Sequence, residues 1–143
     1  MSVASVPHRV CIVDDEPGVR ELLQLMCESI ALDVTTYDSA ETFLAGCAPS
    51  DWDLMVLDVD MPGMSGLELL EALRRRGLAQ PVVMISGGHD EARVARAREL
   101  GAASFFAKPF SLAELRRRIG ELLEPPRPGT PPDTERPCRH RAP

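Results

Sequence analysis

The chain has 143 residues, 44% of them hydrophobic, 27% charged and only 4% aromatic, the composition of a globular domain whose core is aliphatic. Its net charge of −6 is uneven: residues 1–124 hold 12 basic against 20 acidic side chains, and residues 125–143 hold four arginines against Asp133 and Glu135. An acidic domain argues against nucleic acid as the main partner, because phosphate binding needs the opposite sign. No apolar run approaches the ~20 residues of a membrane span, and Met1–Pro7 lacks a basic, apolar leader, so a cytoplasmic location without membrane insertion is expected.

His8–Val13 is a Val- and Ile-rich run closed by three acids and Pro17-Gly18, the pattern of a buried strand entering a loop. Val19, Leu22, Leu23, Met26 and Ile30 follow at helical spacing, with Pro17 in the first turn, where its missing N–H costs nothing. Val34–Tyr37 predicts a short β-branched strand, and Asp38 with Glu41 predicts a capping box for a helix over Ala40–Cys47. Leu54-Met55-Val56-Leu57 is apolar at every position and ends at Asp58, as expected of a strand covered on both faces.

After Met61-Pro62-Gly63-Met64, Ser65 caps a predicted helix through Leu67, Leu70 and Leu73 that Gly77 ends. Pro81–Ile85 repeats the buried-strand pattern, and residues 89–100 form a helix with a weak apolar face. Ser104–Ala107 is a fifth strand running into Lys108-Pro109, a bond for which a trans peptide is the default and cis the minority form. Ser111 and Glu114 open a last helix that turns Leu112, Leu115, Ile119, Leu122 and Leu123 inward. Alternating strands and helices at this spacing imply βαβ crossovers: an α/β fold, a doubly wound five-stranded parallel sheet with helices on both faces. From Pro125 the chain carries seven prolines and no apolar periodicity, so residues 8–124 are expected to be the folded domain and 125–143 a disordered basic tail.

The cysteines, Cys11, Cys27, Cys47 and Cys138, are too far apart for a zinc or CxxC site. The acids are better placed. Open α/β sheets bind ligands beyond the carboxyl ends of their strands, where Asp14, Asp15, Asp58, Ser86 and Lys108 all fall. One such acid is ordinarily a helix cap or a solvated loop residue. Three converging carboxylates raise one another's pKa unless a cation lies among them, and hard oxygen ligands with room for water suit Mg²⁺. Lys108 is the one lysine beside fifteen arginines, a compact point charge at a strand end. Ser86 reads either as a phosphate-binding hydroxyl or as an ordinary turn serine. Arg93, Arg96, Arg116, Arg117 and Arg118 read as a partner-binding surface or, more commonly, as solvated helix faces.

Val13-Asp14-Asp15-Glu16, the run Leu57-Asp58-Val59-Asp60-Met61-Pro62-Gly63-Met64-Ser65-Gly66, Ile85-Ser86-Gly87 and Phe105-Phe106-Ala107-Lys108-Pro109-Phe110 together resemble the receiver domain of two-component response regulators, over about residues 8–124. The resemblance implies a flavodoxin-like receiver fold of the stand-alone, single-domain type. It implies that Asp58 is the phosphoacceptor, and that Asp15, Asp58 and the Asp60 backbone carbonyl bind Mg²⁺ directly, with Asp14 reaching it through water. It implies that Ser86 and Lys108 hold the phosphoryl oxygens, and that Phe105 is an aromatic switch rather than a static core ring. The expected partners are a sensor histidine kinase or histidine phosphotransfer protein and a downstream protein target, with no direct DNA binding. The expected activity is phosphoacceptance with slow self-dephosphorylation rather than enzymatic turnover. An acidic Asp60 two residues after the acceptor departs from the pattern and puts the phosphoryl lifetime in question.

Three alternatives stand beside this reading, and the first, a degenerate receiver serving only as a constitutive protein-binding module, is opposed by the intact Asp14, Asp15, Asp58, Ser86 and Lys108. Asp58-Val59-Asp60 resembles the DxD of haloacid-dehalogenase-type phosphatases, although those carry it on their first strand and Pro62 replaces the usual Thr. A receiver fragment of a DNA-binding regulator, with the Pro-rich segment as its linker, is the third.

Overall fold

In the computed structural model, which describes residues 7–46, 51–88 and 90–123, strands and helices alternate throughout. They are β1 (Arg9–Val13), α1 (Pro17–Glu28), β2 (Asp33–Tyr37), α2 (Ala40–Gly46), β3 (Leu54–Asp58), α3 (Gly66–Arg75), β4 (Val82–Ser86), α4 (Glu91–Glu99), β5 (Ser104–Ala107) and α5 (Leu112–Leu122). All strand pairs are parallel, in the order β2-β1-β3-β4-β5. The expected doubly wound sheet is present. Cys47, Cys138 and the segment from Glu124 onward lie outside the described residues.

Alternation along the strands divides the core in two. Cys11, Val13, Met55, Leu57, Val82 and Met84 face Phe43, Leu69, Leu70, Leu73 and Ala97 of α2, α3 and α4. Val10, Ile12, Leu54, Val56, Val83 and Ile85 face Leu23, Met26 and Cys27 of α1 and Leu115 and Ile119 of α5. Every residue of β3 and β4 is buried, as their unbroken apolar runs require, whereas the edge strands β2 and β5 are only half covered. The buried Cys27 thiol is pushed up to about 12 by burial first and by Glu28 second, so it stays a protonated, unreactive packing group.

Two local expectations are corrected. Leu22 does not join the apolar stripe of α1: it is exposed, as is Leu25, because Leu23, Met26 and Cys27 already fill the contact with the sheet. The start of α2 is held by Ser39, whose Oγ accepts from the Thr42 N–H at 3.0 Å, while Asp38 accepts from the Thr42 hydroxyl. Glu41 instead accepts from the Met64 N–H at 2.9 Å, tying α2 to the β3–α3 loop, and that hydrogen bond holds its carboxyl below the usual range. The Lys108–Pro109 peptide is cis.

At α3 the Ser65 capping box forms in both directions, Glu68 N–H to Ser65 Oγ and Ser65 N–H to Glu68. Gly66 opens this helix against the backbone of β3; a Cβ there would collide with the Asp58 carbonyl oxygen. At the far end, Arg74 donates to the carbonyls of Leu78 (2.8 Å), Gln80 (3.2 Å), Leu100 (2.8 Å) and Gly101 (3.2 Å).

Candidate functional site

Parallel register assembles the site. Val13 pairs with Leu57, Asp58 with Ile85 and Ser86 with Ala107. Asp14, Asp58, Ser86 and Lys108 therefore emerge at one edge of the sheet. Val59 N–H donates to Ile85 O and Lys108 N–H to Ser86 O, which extends the ladder by one step and fixes the loops that carry the acids.

Asp14 and Asp58 are almost fully buried. Carboxylate oxygens of Asp14, Asp15 and Asp58 lie within 4.8 Å of one another. The Asp60 N–H donates to Asp58 Oδ1 at 3.0 Å, and the Glu16 N–H donates to Asp14 Oδ1 at 2.8 Å. Asp14 Oδ2 is buried with no hydrogen-bond donor among the described residues, and its nearest cation is Lys108 Nζ at 3.6 Å. A buried carboxylate oxygen without a donor, facing two other carboxylates, fits a divalent cation held by oxygen ligands and water. The residues present therefore suit Mg²⁺.

Lys108 Nζ is the counter-charge. It lies 3.7 Å from Asp58, 3.6 Å from Asp14 and 2.9 Å from Glu16. Burial opposes its charge, but the hydrogen bond it donates to Glu16 and the attraction of Asp14 and Asp58 outweigh it and raise its pKa. The lysine therefore stays an ammonium. Burial is also the main cause that raises Asp14. Asp58 is pushed up to about 7, by burial first and by repulsion from Asp14, against the pull of the Asp60 amide and Lys108. The Asp58 carboxylate is thus held at a cost, and a cation among the acids would favour its ionised form.

Ser86 is fully buried at the end of β4. Its Oγ donates toward Asp60 Oδ2 at 3.0 Å and lies 3.1 Å from Gly88 O. Asp60 also accepts from Gly87 N–H at 2.7 Å and from Arg93 of α4 at 2.6 Å. Burial alone would raise the Asp60 carboxyl, but these donors hold it below the usual range. Phe105 is half-buried on β5 and packs on the α3–α4 side of the sheet. With Val94, Ala97 and Ala102 it lines a cavity of 330 Å³.

Every site residue expected from the sequence reaches this edge except Phe105, which lies on β5 next to α4. Sequence reasoning missed two contacts: Glu16 on Lys108, 92 residues apart, and Arg93 on Asp60, 33 apart. No local signal announces either pair. The remaining α4 and α5 arginines mostly pair within the domain, Arg96 with Glu71 and Glu99, and Arg117 and Arg118 with Glu121. No helix among the described residues is long and apolar enough to cross a membrane.

The response regulator receiver domain matches residues 10–120. The transcriptional regulatory protein FixJ of Azorhizobium caulinodans is 41% identical over 119 residues, covering 80% of this chain and 56% of that protein. TdiR of Thauera aromatica, also a transcriptional regulatory protein, is 40% identical over 114 residues, covering 80% of this chain and 50% of its own length. The chain thus spans about half the length of these curated relatives. The chemotaxis protein CheY4 of Vibrio cholerae superposes with a TM-score of 0.75 at 23% identity, over 82% of this chain and 100% of that one. A response regulator from Chloroflexus aurantiacus gives 0.75 at 30% identity, over 82% and 98%.

Proposed function

The chain belongs to the response regulator receiver domain family, and from that premise we propose that it is a phosphoacceptor switch. Asp58 takes a phosphoryl group from a partner histidine kinase or histidine phosphotransfer protein in a Mg²⁺-dependent reaction. The observation that carries this reading is the buried Asp58 carboxylate, 3.7 Å from Lys108 Nζ and within 4.8 Å of Asp14 and Asp15.

In the reaction a carboxylate oxygen of Asp58 forms a bond to phosphorus as the N–P bond of the donor imidazole breaks. The imidazole nitrogen keeps the electron pair and is protonated, leaving an acyl phosphate on Asp58. Phosphoryl transfer depends on alignment and on neutralising the equatorial oxygens. Lys108 offers one positive charge there and Ser86 one hydroxyl. Asp15, Asp58 and the Asp60 carbonyl would hold Mg²⁺ directly and Asp14 through water, and the ion bound there would add to the neutralisation of the phosphoryl charge. Ser86 moves toward the new phosphoryl oxygens, and Phe105 turns into the space it leaves. The acyl phosphate hydrolyses slowly, without turnover of other substrates.

Family membership sets Asp58-Val59-Asp60 in a receiver rather than in a phosphatase. Residues 8–124 are proposed as the receiver, cytoplasmic and without direct DNA contact, with the Pro-rich residues 125–143 as an appended tail. Output then passes through a downstream protein target. A second reading has a specific observation behind it: curated relatives about twice the matched length are named transcriptional regulatory proteins, so the same domain also fits as the receiver of a longer regulator.

The test is incubation with Mg²⁺ and acetyl phosphate, followed by intact-mass measurement. Wild type should gain one phosphoryl group and Asp58→Asn none. Labelling that persists in Asp58→Asn would place the chemistry elsewhere.

A further inference from the structure

Asp60 follows Asp58 by two residues; its backbone N–H donates to Asp58 Oδ1, while its carboxylate is taken up by other partners. It enters the loop between β4 and α4. There one carboxylate oxygen accepts from both Ser86 Oγ (3.0 Å) and Gly87 N–H (2.7 Å), and the other accepts from Arg93 Nη1 (2.6 Å). An anion is thus already seated on the buried hydroxyl that the phosphoryl group would need.

A serine hydroxyl has a single proton to donate. Ser86 Oγ accepts from Gly88 N–H at 3.3 Å and has two acceptors within reach, Asp60 Oδ2 and Gly88 O. It can therefore serve Asp60 or a phosphoryl oxygen, but not both. A phosphoryl group adds a charge of about −1.5 to −2 and three acceptor oxygens. It would compete for that proton and repel the Asp60 carboxylate from it.

We propose that the Asp60 side chain is a built-in stand-in for the phosphoryl group. It holds Ser86 and the Gly87 amide in the unphosphorylated chain, and it must release them when Asp58 is modified. Arg93 makes the release visible at a distance, because the same carboxylate that binds Ser86 anchors the first turns of α4. Asp60 and Arg93 are thereby positioning residues. They do not react, and they set how readily Ser86 reaches the phosphoryl group. The inference rests on the phosphoacceptor reading of Asp58.

The probe is beryllofluoride with Mg²⁺, which mimics a phosphoryl group on an aspartate. Binding is measured for wild type, Asp60→Ala, Ser86→Ala and the double variant. Asp60→Ala should bind beryllofluoride roughly three- to tenfold more tightly, the range set by one hydrogen bond's net worth. That gain should disappear in the Ser86→Ala background. A gain that persists in full without Ser86 would show plain charge repulsion and overturn the stand-in role, as would equal affinity in wild type and Asp60→Ala. The Gly87 amide resonance gives a second readout. Beryllofluoride should carry it in wild type toward its position in free Asp60→Ala, and an amide that does not move overturns the proposal. Failure of wild type to bind beryllofluoride at all would bring down the phosphoacceptor reading, and this inference with it. Binding without the Asp60 effects brings down this inference alone.

Discussion

Replacing Asp58 with asparagine should stabilise the metal-free protein, and the gain should depend on pH in a defined way. The folded carboxyl is pushed up to about 7 from the ordinary 3.8 of an aspartate, so the folded state binds this proton more tightly than the unfolded chain does. Stability therefore falls as pH rises between those two values and is flat beyond them. At about 1.4 kcal/mol per tenfold change in proton affinity, the ceiling on the lost stability is about 4 kcal/mol above pH 7. Asparagine keeps an acceptor for the Asp60 N–H and removes the buried charge, but it loses the attraction of Lys108. The buried Asp14 shares the repulsion, so about half the ceiling, ~2 kcal/mol, is the expected net gain at pH 8. Urea unfolding of both proteins in chelator, from pH 4 to pH 8, measures it directly. The difference should shrink toward zero near pH 4 and should also narrow at pH 8 when Mg²⁺ is added. An Asp58→Asn protein no more stable than wild type at pH 8, or a gain that does not diminish on acidification, would refute the claim that burial strains this carboxylate.

Two further outcomes follow from the same geometry. Mg²⁺ should raise the melting temperature of wild type, since a ligand at ~100 times its dissociation constant adds about 2.7 kcal/mol; Asp15→Asn should lose most of that shift in the same calorimetric scan, and equal shifts would remove Asp15 from the ion's ligands. Gly66→Ala forces a Cβ against the Asp58 carbonyl oxygen, so α3 must move off β3; a loss of roughly 1–3 kcal/mol in urea unfolding is expected, with slower labelling of Asp58, and an unperturbed variant would show that the close approach is not needed.

Much of this architecture was legible because burial writes itself into short segments. Leu54–Leu57 is apolar at all four positions, which only a strand covered on both faces tolerates, and β3 is indeed the centre of the sheet. The strand-end acids were legible for the same reason: once the parallel sheet is inferred, Asp14, Asp58, Ser86 and Lys108 must share an edge. What stayed hidden depends on which side chain wins a tertiary contact. Leu22 matches the helical period as well as Leu23 does, yet the sheet accommodates only Leu23. Glu41 had the spacing to cap its own helix and instead bonds Met64 across the fold. Arg93 looked like one more solvated arginine, and nothing near it in sequence shows that Asp60 lies within reach.

The four carbonyls gathered by Arg74 give α4 two unlike ends. Its C-terminal part is held where Arg96 meets Glu71 and where Leu100 and Gly101 meet the end of α3, while its first turn is tethered across the loop by the Asp60–Arg93 pair. A rod pinned at one end and latched at the other does not slide when the latch opens; it swings about the pin. Displacement then grows from Glu99 toward Glu91, so a partner that grips the first turn of the helix feels the largest change and one that grips the last turn feels almost none. Amide exchange should carry the same gradient, fastest near Arg93 and slowest beside Leu100.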